Sequence, residues 1–247
     1  MARIIVFGAA KPGIGQAVTT RLIAEQNSVV GVYNPADADE TSEFREKNKI
    51  VEWISINTFD PQETVDKVTA ITDIDAAIHA DMYFTMERAT SFDIDSWQKS
   101  LAANLTTPKI IGHAAQTFWP SCSSVVFVTS SEANTGSFGA HAYAATKAAV
   151  HNLTKSLANV AAGRTRYNSV AAGWIGGVMD TDEVFNRSRE VTPMGRLGSP
   201  EEIAATVSWL LGSESSFVNG TTVFADGGYT GVDTISKFEY FDSFSDQ

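Results

Sequence analysis

Short apolar runs alternate with helix-like segments from the N-terminus to residue 130, and this alternation restricts the fold more than any other feature. The runs are "RIIVF", "SVVGVY", "IVEWISI", "DAAIHA" and "SVVFVT". They are nearly continuous in apolar and β-branched residues, as in strands that are buried on both faces of a parallel sheet. The alternation predicts an α/β fold in which a doubly wound parallel sheet is flanked by helices.

The chain is long enough for one sizeable domain. Its 247 residues are 43% hydrophobic and show no repeat, low-complexity linker or break in composition, which suits a single core. We expect this domain to cover residues 1–230. An acidic, aromatic-rich tail follows at residues 231–247. The sequence leaves two alternatives open for the tail: a frayed terminus, or a segment that docks on the body or on a neighbouring subunit.

Charge and cysteine content exclude several classes of partner. The formal net charge is -11, and an acidic surface repels phosphate backbones, so we expect no nucleic-acid partner. No basic run favours a membrane surface, and no apolar stretch is long enough to span one. The single cysteine, Cys122, allows no intrachain disulfide, and the N-terminus lacks the pattern of a secretory signal. We therefore expect a cytoplasmic protein.

A glycine-rich loop follows the first apolar run. In "RIIVFGAAKPGIGQAV", Gly8, Gly13 and Gly15 stand between a predicted strand and a predicted helix that begins near Ile14. This context permits a tight turn, close approach of the backbone to a dinucleotide pyrophosphate, and anion binding at the helix N-terminus. The loop is one residue longer than the common patterns, and its Pro12 removes one N–H donor. We predict dinucleotide binding at this loop.

Further stretches extend this pattern along the chain. "VFVTSSEANTGSFGAHAYAATK" places Ser130 thirteen residues before Tyr143 and Lys147 four residues after it, while "AANLTTP" contains Asn104. "NSVAAGWIGG" and the segment that begins "PMGRLGSPEE" follow in order. Together with the glycine loop, they resemble the short-chain dehydrogenase/reductase family over residues 3 to about 230. The resemblance implies a Rossmann-like fold and an NAD(P)-dependent oxidoreductase that interconverts an alcohol and a ketone or aldehyde.

The sequence departs from this family pattern in its loops. His79-Ala80-Asp81 stands where the family has Asn-Ala-Gly, and Ala172-Gly173 stands where it has Pro-Gly. Gly177 replaces an expected threonine, and Phe7 replaces the threonine that usually precedes the glycine loop. These departures concern the geometry of loops and leave the implied reaction type unchanged.

Tyr143 and Lys147 are one helical turn apart, so their side chains project from the same face of a helix. The pKa of a free tyrosine is about 10, and we expect the Lys147 ammonium to lower the pKa of Tyr143. Tyr143 can then act as the general acid and base at the substrate oxygen. The resemblance implies that Ser130 hydrogen-bonds this oxygen and that Lys147 also holds the nicotinamide ribose.

Asn104 precedes Pro108 in a segment that reads as one helix from about Asp95 to Phe118. Because Pro108 has no N–H, the backbone oxygen of Asn104 lacks its helical donor, and we expect a kink here. In the family, the matching oxygen holds a water that connects to the lysine. The resemblance therefore adds Asn104 to the catalytic set of Ser130, Tyr143 and Lys147.

The choice of cofactor depends on the end of the second apolar run. An NAD enzyme usually has an acidic residue there, but this sequence has Tyr33 and Asn34. Lys11 in the glycine loop can reach a 2'-phosphate, so we expect NADP(H) to be favoured over NAD(H). The acidic residues Asp37, Asp39 and Glu40 oppose this preference if they fold inward. The further cofactor-binding positions that the resemblance implies are Ile14, Asn57, Thr58, Ala80, Tyr143, Lys147, Gly173 and Ile175.

Two other functions are open from the sequence alone. A catalytically silent, nucleotide-sensing protein would keep the fold but need not keep Tyr143 and Lys147. A lyase of the halohydrin dehalogenase type would carry arginine in place of Lys147 and an anion pocket in place of the glycine loop. The intact pattern favours the oxidoreductase over both alternatives.

The substrate is expected to be a small molecule that the sequence does not identify. Residues 174–195 form a predicted lid, and its Trp174, Val178, Met179 and Phe185 suggest an apolar wall. No cluster of His, Cys or carboxylate residues has the spacing of a metal site, so we expect no metal.

The run "AYAATKAA" leaves a smooth, alanine-rich helix face. In the family, this helix and the preceding one form the usual contact between subunits. We therefore expect a homodimer or a homotetramer.

Overall fold

The fold is a parallel sheet with helices on both faces. A computed structural model describes residues 1–177 and 181–244. Its seven strands lie in the order β3-β2-β1-β4-β5-β6-β7, and each neighbouring pair is parallel. The strands are β1 (Arg3–Phe7), β2 (Ser28–Tyr33), β3 (Glu52–Ser55), β4 (Ala76–His79), β5 (Ser124–Ser130), β6 (Arg166–Ala172) and β7 (Thr222–Ala225). The predicted doubly wound α/β architecture is confirmed.

Helices bury both faces of the sheet. They are α1 (Ile14–Ala24), α2 (Ser42–Lys47), α3 (Pro61–Ala70), α4 (Ile94–Leu101), α5 (Thr107–Thr117), α6 (Glu132–Thr135), α7 (His141–Val160), α8 (Asp182–Val191), α9 (Pro200–Leu211) and α10 (Thr234–Phe244). Along β1, Ile5 and Phe7 belong to one apolar cluster, which includes residues of α3, α5 and α7. Ile4 and Val6 belong to another, which includes residues of α1 and α9. Because strand side chains alternate between faces, both faces carry a core.

The strand order reverses between β1 and β4. From β1 the chain continues to β2 on one side, whereas β4 and β5 lie on the other side of β1. Phe7 pairs with His79, and Ser130 pairs with Ala172, so the residues that follow these strands lie along one edge of the sheet. In open α/β sheets, ligands bind outside the carboxyl ends of the strands at such a reversal. The fold therefore brings the sequence motifs to one crevice.

The long helix predicted around residues 95–118 is irregular around Asn104, where the sequence predicted a kink. A π turn, Ala102–Thr106, separates α4 from α5, and the Thr107 N–H bonds to the Ala102 carbonyl five residues back. Pro108 lies two residues after this turn, as the second residue of α5. Proline tolerates the start of a helix because its missing N–H is not needed there. The chain thus accommodates the proline by widening the preceding turn, and the predicted helix runs on through one π turn from Ile94 to Thr117.

The tail forms a helix in the part that the structure describes. Asp233 precedes α10, and its carboxylate accepts hydrogen bonds from the N–H groups of Ile235 and Ser236. Phe238, Tyr240 and Phe241 are each more than half exposed. The capped helix argues against a frayed terminus, and Lys237 on this helix donates a hydrogen bond to the Glu190 carbonyl of α8. Within residues 1–177 and 181–244, no helix combines the length and apolar composition that a bilayer crossing requires.

Candidate active site

The glycine loop has the backbone conformations that its sequence predicts. Gly8 and Gly13 have φ of 75° and 85°, a region that other residues rarely adopt. A Cβ on Gly8 would lie 2.7 Å from the Asp81 backbone, and one on Gly15 would lie 2.0 Å from the Gly8 carbonyl oxygen. Glycine at these positions therefore allows the loop, the end of β4 and α1 to pack closely.

The N-terminus of α1 is open toward this loop. Gly13 is the N-cap residue, and it provides no side-chain hydrogen bond to the first turn, which begins at Ile14. The first N–H groups of a helix lack intrahelical partners and carry a partial positive charge. A side-chain-free helix start beside a glycine turn fits the pyrophosphate of a dinucleotide.

Lys11 lies between two carboxylates and faces the protein. Its Nζ is 3.2 Å from Asp37 Oδ2 and 3.4 Å from Asp81 Oδ1, and it donates to the Met82 carbonyl at 2.8 Å. Burial lowers the pKa of Lys11, but the carboxylates of Asp81 and Asp37 outweigh burial and raise it. Asp37 has therefore folded inward, whereas the acidic residues 39–40 are exposed. The charge of Lys11 is already compensated within the protein.

Asn34 is directed inward from the end of β2. Its Nδ2 donates to Thr58 Oγ1 at 2.8 Å, and Thr58 Oγ1 donates to Asp81 Oδ2 at 3.0 Å. Its Oδ1 accepts the Ala36 N–H at 2.9 Å. Asn34 and Thr58 are both buried. The polar atoms of these two side chains join the ends of β2 and β4, and their place in the cofactor site stays a prediction.

Tyr33 and Asn57 are half-buried at the same corner of the crevice. The guanidinium of Arg45 lies 4.0 Å from the centre of the Tyr33 ring, a distance typical of a cation–π contact. Arg45 thereby adds a positive charge near the end of β2. No sequence pattern indicated Arg45, because α2 and β2 are brought together only by the fold.

Ser130, Tyr143 and Lys147 come together at the carboxyl edge of the sheet. Ser130 ends β5, whereas the other two lie in the first two turns of α7. Lys147 is 3% exposed, its Nζ donates to the Val128 carbonyl at 3.0 Å, and the same Nζ lies 5.5 Å from the centre of the Tyr143 ring. The lysine ammonium thus faces the tyrosine ring and is tied to the strand that carries Ser130.

Burial controls the proton affinities of this pair. It raises the pKa of Tyr143 to about 12; a hydrogen bond with Ser130 acts in the opposite direction, and the carboxylate of Glu132 raises the pKa further. Burial also lowers the pKa of Lys147 to about 8, with Asp81 opposing and Lys11 supporting this change. The expected lowering of the Tyr143 pKa by Lys147 is therefore wrong for the protein without cofactor, because desolvation of the phenolate dominates.

Asn104 acts through its side chain on the loop that follows β4. Its Oδ1 accepts the Tyr83 N–H at 2.8 Å, and its Nδ2 donates to the Tyr83 carbonyl at 2.9 Å. Asn104 is fully buried within the π turn. The side chain therefore holds the backbone of Tyr83 as a neighbouring strand would. The role of the Asn104 backbone oxygen stays a prediction.

His79 and Ala80 occupy the end of β4. His79 is buried against Phe7, with ring centres 6.3 Å apart. Its Nε2 has no hydrogen-bond partner within the described part of the chain, and burial lowers the pKa of His79 to about 3. The ring is therefore neutral at physiological pH. Ala80 follows at the crevice edge and is only partly buried.

The nicotinamide-side loop begins after β6. A Cβ on Gly173 would lie 2.6 Å from Asp226 Cα, so a glycine is required for this packing. Ile175 forms a bridge with Gly198 and, with Trp174, lines a cavity at this end of the sheet. In the predicted lid, Phe185 lies on α8, whereas residues 178–179 fall outside the described residues.

Comparison with known proteins gives one consistent family. A family profile described as enoyl-(acyl carrier protein) reductase matches residues 8–230. The chain is 31% identical to the cis-4-hydroxycyclohexanecarboxylate dehydrogenase of Sinomonas cyclohexanicum, over 93% of this chain and 97% of that protein. It is also 31% identical to 3beta-hydroxysteroid dehydrogenase 1 of Eggerthella lenta, over 92% of this chain and 93% of that protein.

A solved structure shares the whole fold. The crystal structure of BdcA in complex with NADPH superposes with a TM-score of 0.84, at 22% identity, over 94% of this chain and 96% of that chain. The glycine loop, the Ser130-Tyr143-Lys147 arrangement and these matches lead to one conclusion: the chain belongs to the short-chain dehydrogenase/reductase family.

Proposed function

We propose that Asn104, Ser130, Tyr143 and Lys147 perform catalysis in this NAD(P)-dependent oxidoreductase, which interconverts an alcohol and a ketone or aldehyde. The main observation in support is that Ser130, Tyr143 and Lys147 meet at the carboxyl edge of the sheet. The glycine loop follows β1 at the same edge. A silent nucleotide sensor would not need this arrangement, and the lyase alternative calls for arginine rather than lysine at position 147.

The protein residues handle the proton in this reaction, and the bound cofactor supplies or accepts the hydride. The raised pKa of Tyr143 keeps its hydroxyl protonated at neutral pH, so it can donate a proton to the substrate oxygen during reduction. During oxidation, Tyr143 must first lose its proton so that its phenolate can accept the proton of the alcohol, and positive charge near the phenolate favours this loss. Ser130 holds the substrate oxygen beside the Tyr143 hydroxyl. Asn104 keeps the loop after β4 in place by binding Tyr83.

The function is tested with a panel of small ketones, aldehydes and alcohols, each offered with NADP(H) and with NAD(H). We expect a change in absorbance at the band of the reduced nicotinamide with at least one carbonyl compound. Cofactor binding without any turnover across a broad panel would favour the nucleotide sensor.

The residues at the crevice fit a nicotinamide dinucleotide, and we propose a preference for NADP(H). No carboxylate stands at Tyr33 or Asn34, and Lys11 and Arg45 bring two cations to this corner. Asp37 acts against the preference, since it already pairs with Lys11. A 2'-phosphate would have to replace Asp37 as the partner of Lys11. Proteins of the same fold have been crystallised with NADPH or NADP, which is consistent with this proposal.

Substitutions of Lys11 and of Asp37 should shift the cofactor preference in opposite directions. We expect Lys11→Ala to lower kcat/KM for NADP(H) by about tenfold and to leave NAD(H) nearly unchanged, because only NADP(H) carries a 2'-phosphate that this ammonium can bind. Asp37→Asn should raise kcat/KM for NADP(H), because it removes a competing anion. The measurement is the ratio of the two kcat/KM values in each variant. A native preference for NAD(H) would overturn the proposal.

We also propose that the protein is a cytoplasmic homodimer or homotetramer, with residues 1–230 as the catalytic domain and 231–247 as an appended tail. Exposed apolar side chains near the ends of α4, α5 and α7 support subunit contact: Ile94, Phe118 and Val160. Light scattering at micromolar concentration should give at least twice the monomer mass. A monomer under these conditions would remove the assembly proposal.

A further inference from the structure

The loop between β4 and α4 lies directly on the proposed catalytic tyrosine. In this post-β4 loop, residues 80–93, the ring of Phe84 stands edge-to-face with Tyr143, with centres 5.3 Å apart and an interplanar angle of 79°. Phe84 is 37% exposed. One part of its ring therefore contacts Tyr143, and another part remains open to solvent. Lys147 approaches the same tyrosine ring, so Tyr143 has a neighbour of each kind, apolar and cationic.

The post-β4 loop is fixed on the N-terminal side of Phe84. Both backbone groups of Tyr83 bond to the Asn104 side chain. The Tyr83 ring also packs edge-to-face on Phe59, with centres 5.4 Å apart. Since Asn104 is fully buried, this attachment ties the loop to the rigid π turn. Phe84 therefore has little freedom to move away from Tyr143.

The loop is fixed again on the C-terminal side, to the helix that carries Tyr143. The Glu87 carboxylate accepts the Ala142 N–H at 2.7 Å, and the Glu87 N–H donates to the Gly139 carbonyl at 2.6 Å. The N-cap residue of α7 makes no side-chain hydrogen bond of its own. Glu87 thus takes the position of an N-cap from a distant loop, and it locks the loop and α7 together.

A carboxylate lies near Tyr143 in addition to the Lys147 ammonium. Glu132, two residues after Ser130, is close enough for its carboxylate to raise the pKa of Tyr143, after the larger effect of burial. The Glu132 carboxylate is itself partly buried and accepts a hydrogen bond from Ser137. A substrate carboxylate or phosphate beside the reacting carbon would meet this negative charge.

We propose that Phe84 is a specificity-determining residue, and that it selects substrates whose reacting carbonyl carbon carries an uncharged, apolar ring or chain. The inference rests on the proposed function, because the substrate oxygen must reach the hydroxyls of Tyr143 and Ser130. A substituent on the carbonyl carbon then lies beside the fixed aromatic ring. Hydroxyl groups placed against this ring would lose water without gaining a hydrogen bond, which is unfavourable.

The test compares two ketones within each enzyme preparation. Cyclohexanone presents an apolar ring, and dihydroxyacetone presents hydroxyl groups on both sides of the carbonyl. We expect the native protein to favour cyclohexanone in kcat/KM, and we expect Phe84→Ala to reduce this ratio by about tenfold or more. Phe84→Leu should retain most of the ratio, because leucine keeps an apolar wall. The ratio is independent of the fraction of folded enzyme, so a partly misfolded variant still gives an answer.

Phe92→Ala is the matched control. Phe92 lies on the same loop and is 72% exposed, but its ring packs on Trp97 rather than on Tyr143. Its substitution should leave the ratio unchanged. An unchanged ratio in Phe84→Ala, or a native preference for dihydroxyacetone, overturns the inference while the proposed function stands. Failure of every carbonyl compound and alcohol in the panel removes the proposed function, and the inference with it.

Discussion

Tyr143→Phe should reduce turnover by about 10²- to 10⁴-fold, the usual contribution of one positioned general acid or base. The substitution removes only the hydroxyl. The ring that packs on Phe84 and faces Lys147 remains, so the fold and the cofactor crevice should be preserved. The measurement is kcat with the best substrate of the panel, together with the cofactor dissociation constant, which should change little.

A second buried tyrosine provides the control for this substitution. Tyr167 lies on β6, is fully buried, and donates its hydroxyl hydrogen to the Gly112 carbonyl at 3.2 Å. Tyr167→Phe loses a buried hydrogen bond, as Tyr143→Phe does, but at a distance from the crevice. We expect it to lower stability slightly and to leave kcat nearly native. Near-native turnover in Tyr143→Phe would falsify the catalytic assignment.

Lys147→Met should abolish most activity without destabilising the protein. Activity falls because the cation facing the Tyr143 ring and the predicted contact with the nicotinamide ribose are both lost. Stability is retained because the native protein holds this ammonium at 3% exposure, where burial lowers its pKa from 10.5 to about 8. That shift corresponds to a cost of about 3 kcal/mol at neutral pH. This cost offsets the roughly 1–3 kcal/mol for leaving the Val128 carbonyl without its donor.

The same pKa shift predicts how the stability difference between Lys147→Met and the native protein depends on pH. The unfolded chain binds a proton at position 147 up to pH 10.5, whereas the folded protein releases it near pH 8. The cost is therefore fully present below pH 8, declines between pH 8 and 10.5, and is absent above. Thermal unfolding of both proteins should show the variant relatively more stable at pH 7 than at pH 10. Lys155→Met, an exposed lysine on the same helix, is the control for loss of charge.

Suppose that Lys147→Met lowers the free energy of unfolding by several kcal/mol at pH 7 and that this loss does not depend on pH. Such a result would show that Lys147 contributes net stability. In that case burial of this ammonium would not be a net cost to folding. Retained activity in Lys147→Met would instead contradict its place in the proposed catalytic set.

Local sequence alone determined the sheet and the glycine loop. The apolar runs are buried on both faces because a strand between two helical layers has no solvent side, and such strands need no alternating pattern. Positive φ at Gly8 and Gly13 followed from glycine in a strand-to-helix turn. The family match extends over the region that the motifs indicated.

Helix interruption was determined only in part by the sequence. Pro108 predicted a break, because it has no N–H to donate. Where the break falls depends on how the helix packs, and the π turn places Asn104 inside the protein with its side chain on Tyr83. Sequence spacing does not specify this, because a helix can absorb a proline by kinking, restarting or widening one turn.

Tertiary structure decided the charges and contacts of the site. Lys11, Asp37 and Asp81 are far apart in the chain and form one cluster only because the ends of three strands meet. Free amino-acid chemistry predicted a lower pKa for Tyr143 beside a lysine, but burial raised it, because desolvation depends on the whole surrounding fold. The sequence thus determined which residues reach the crevice, since each follows a strand or lies on a helix. Which of them face each other depended on loop paths and burial, which no local pattern encodes.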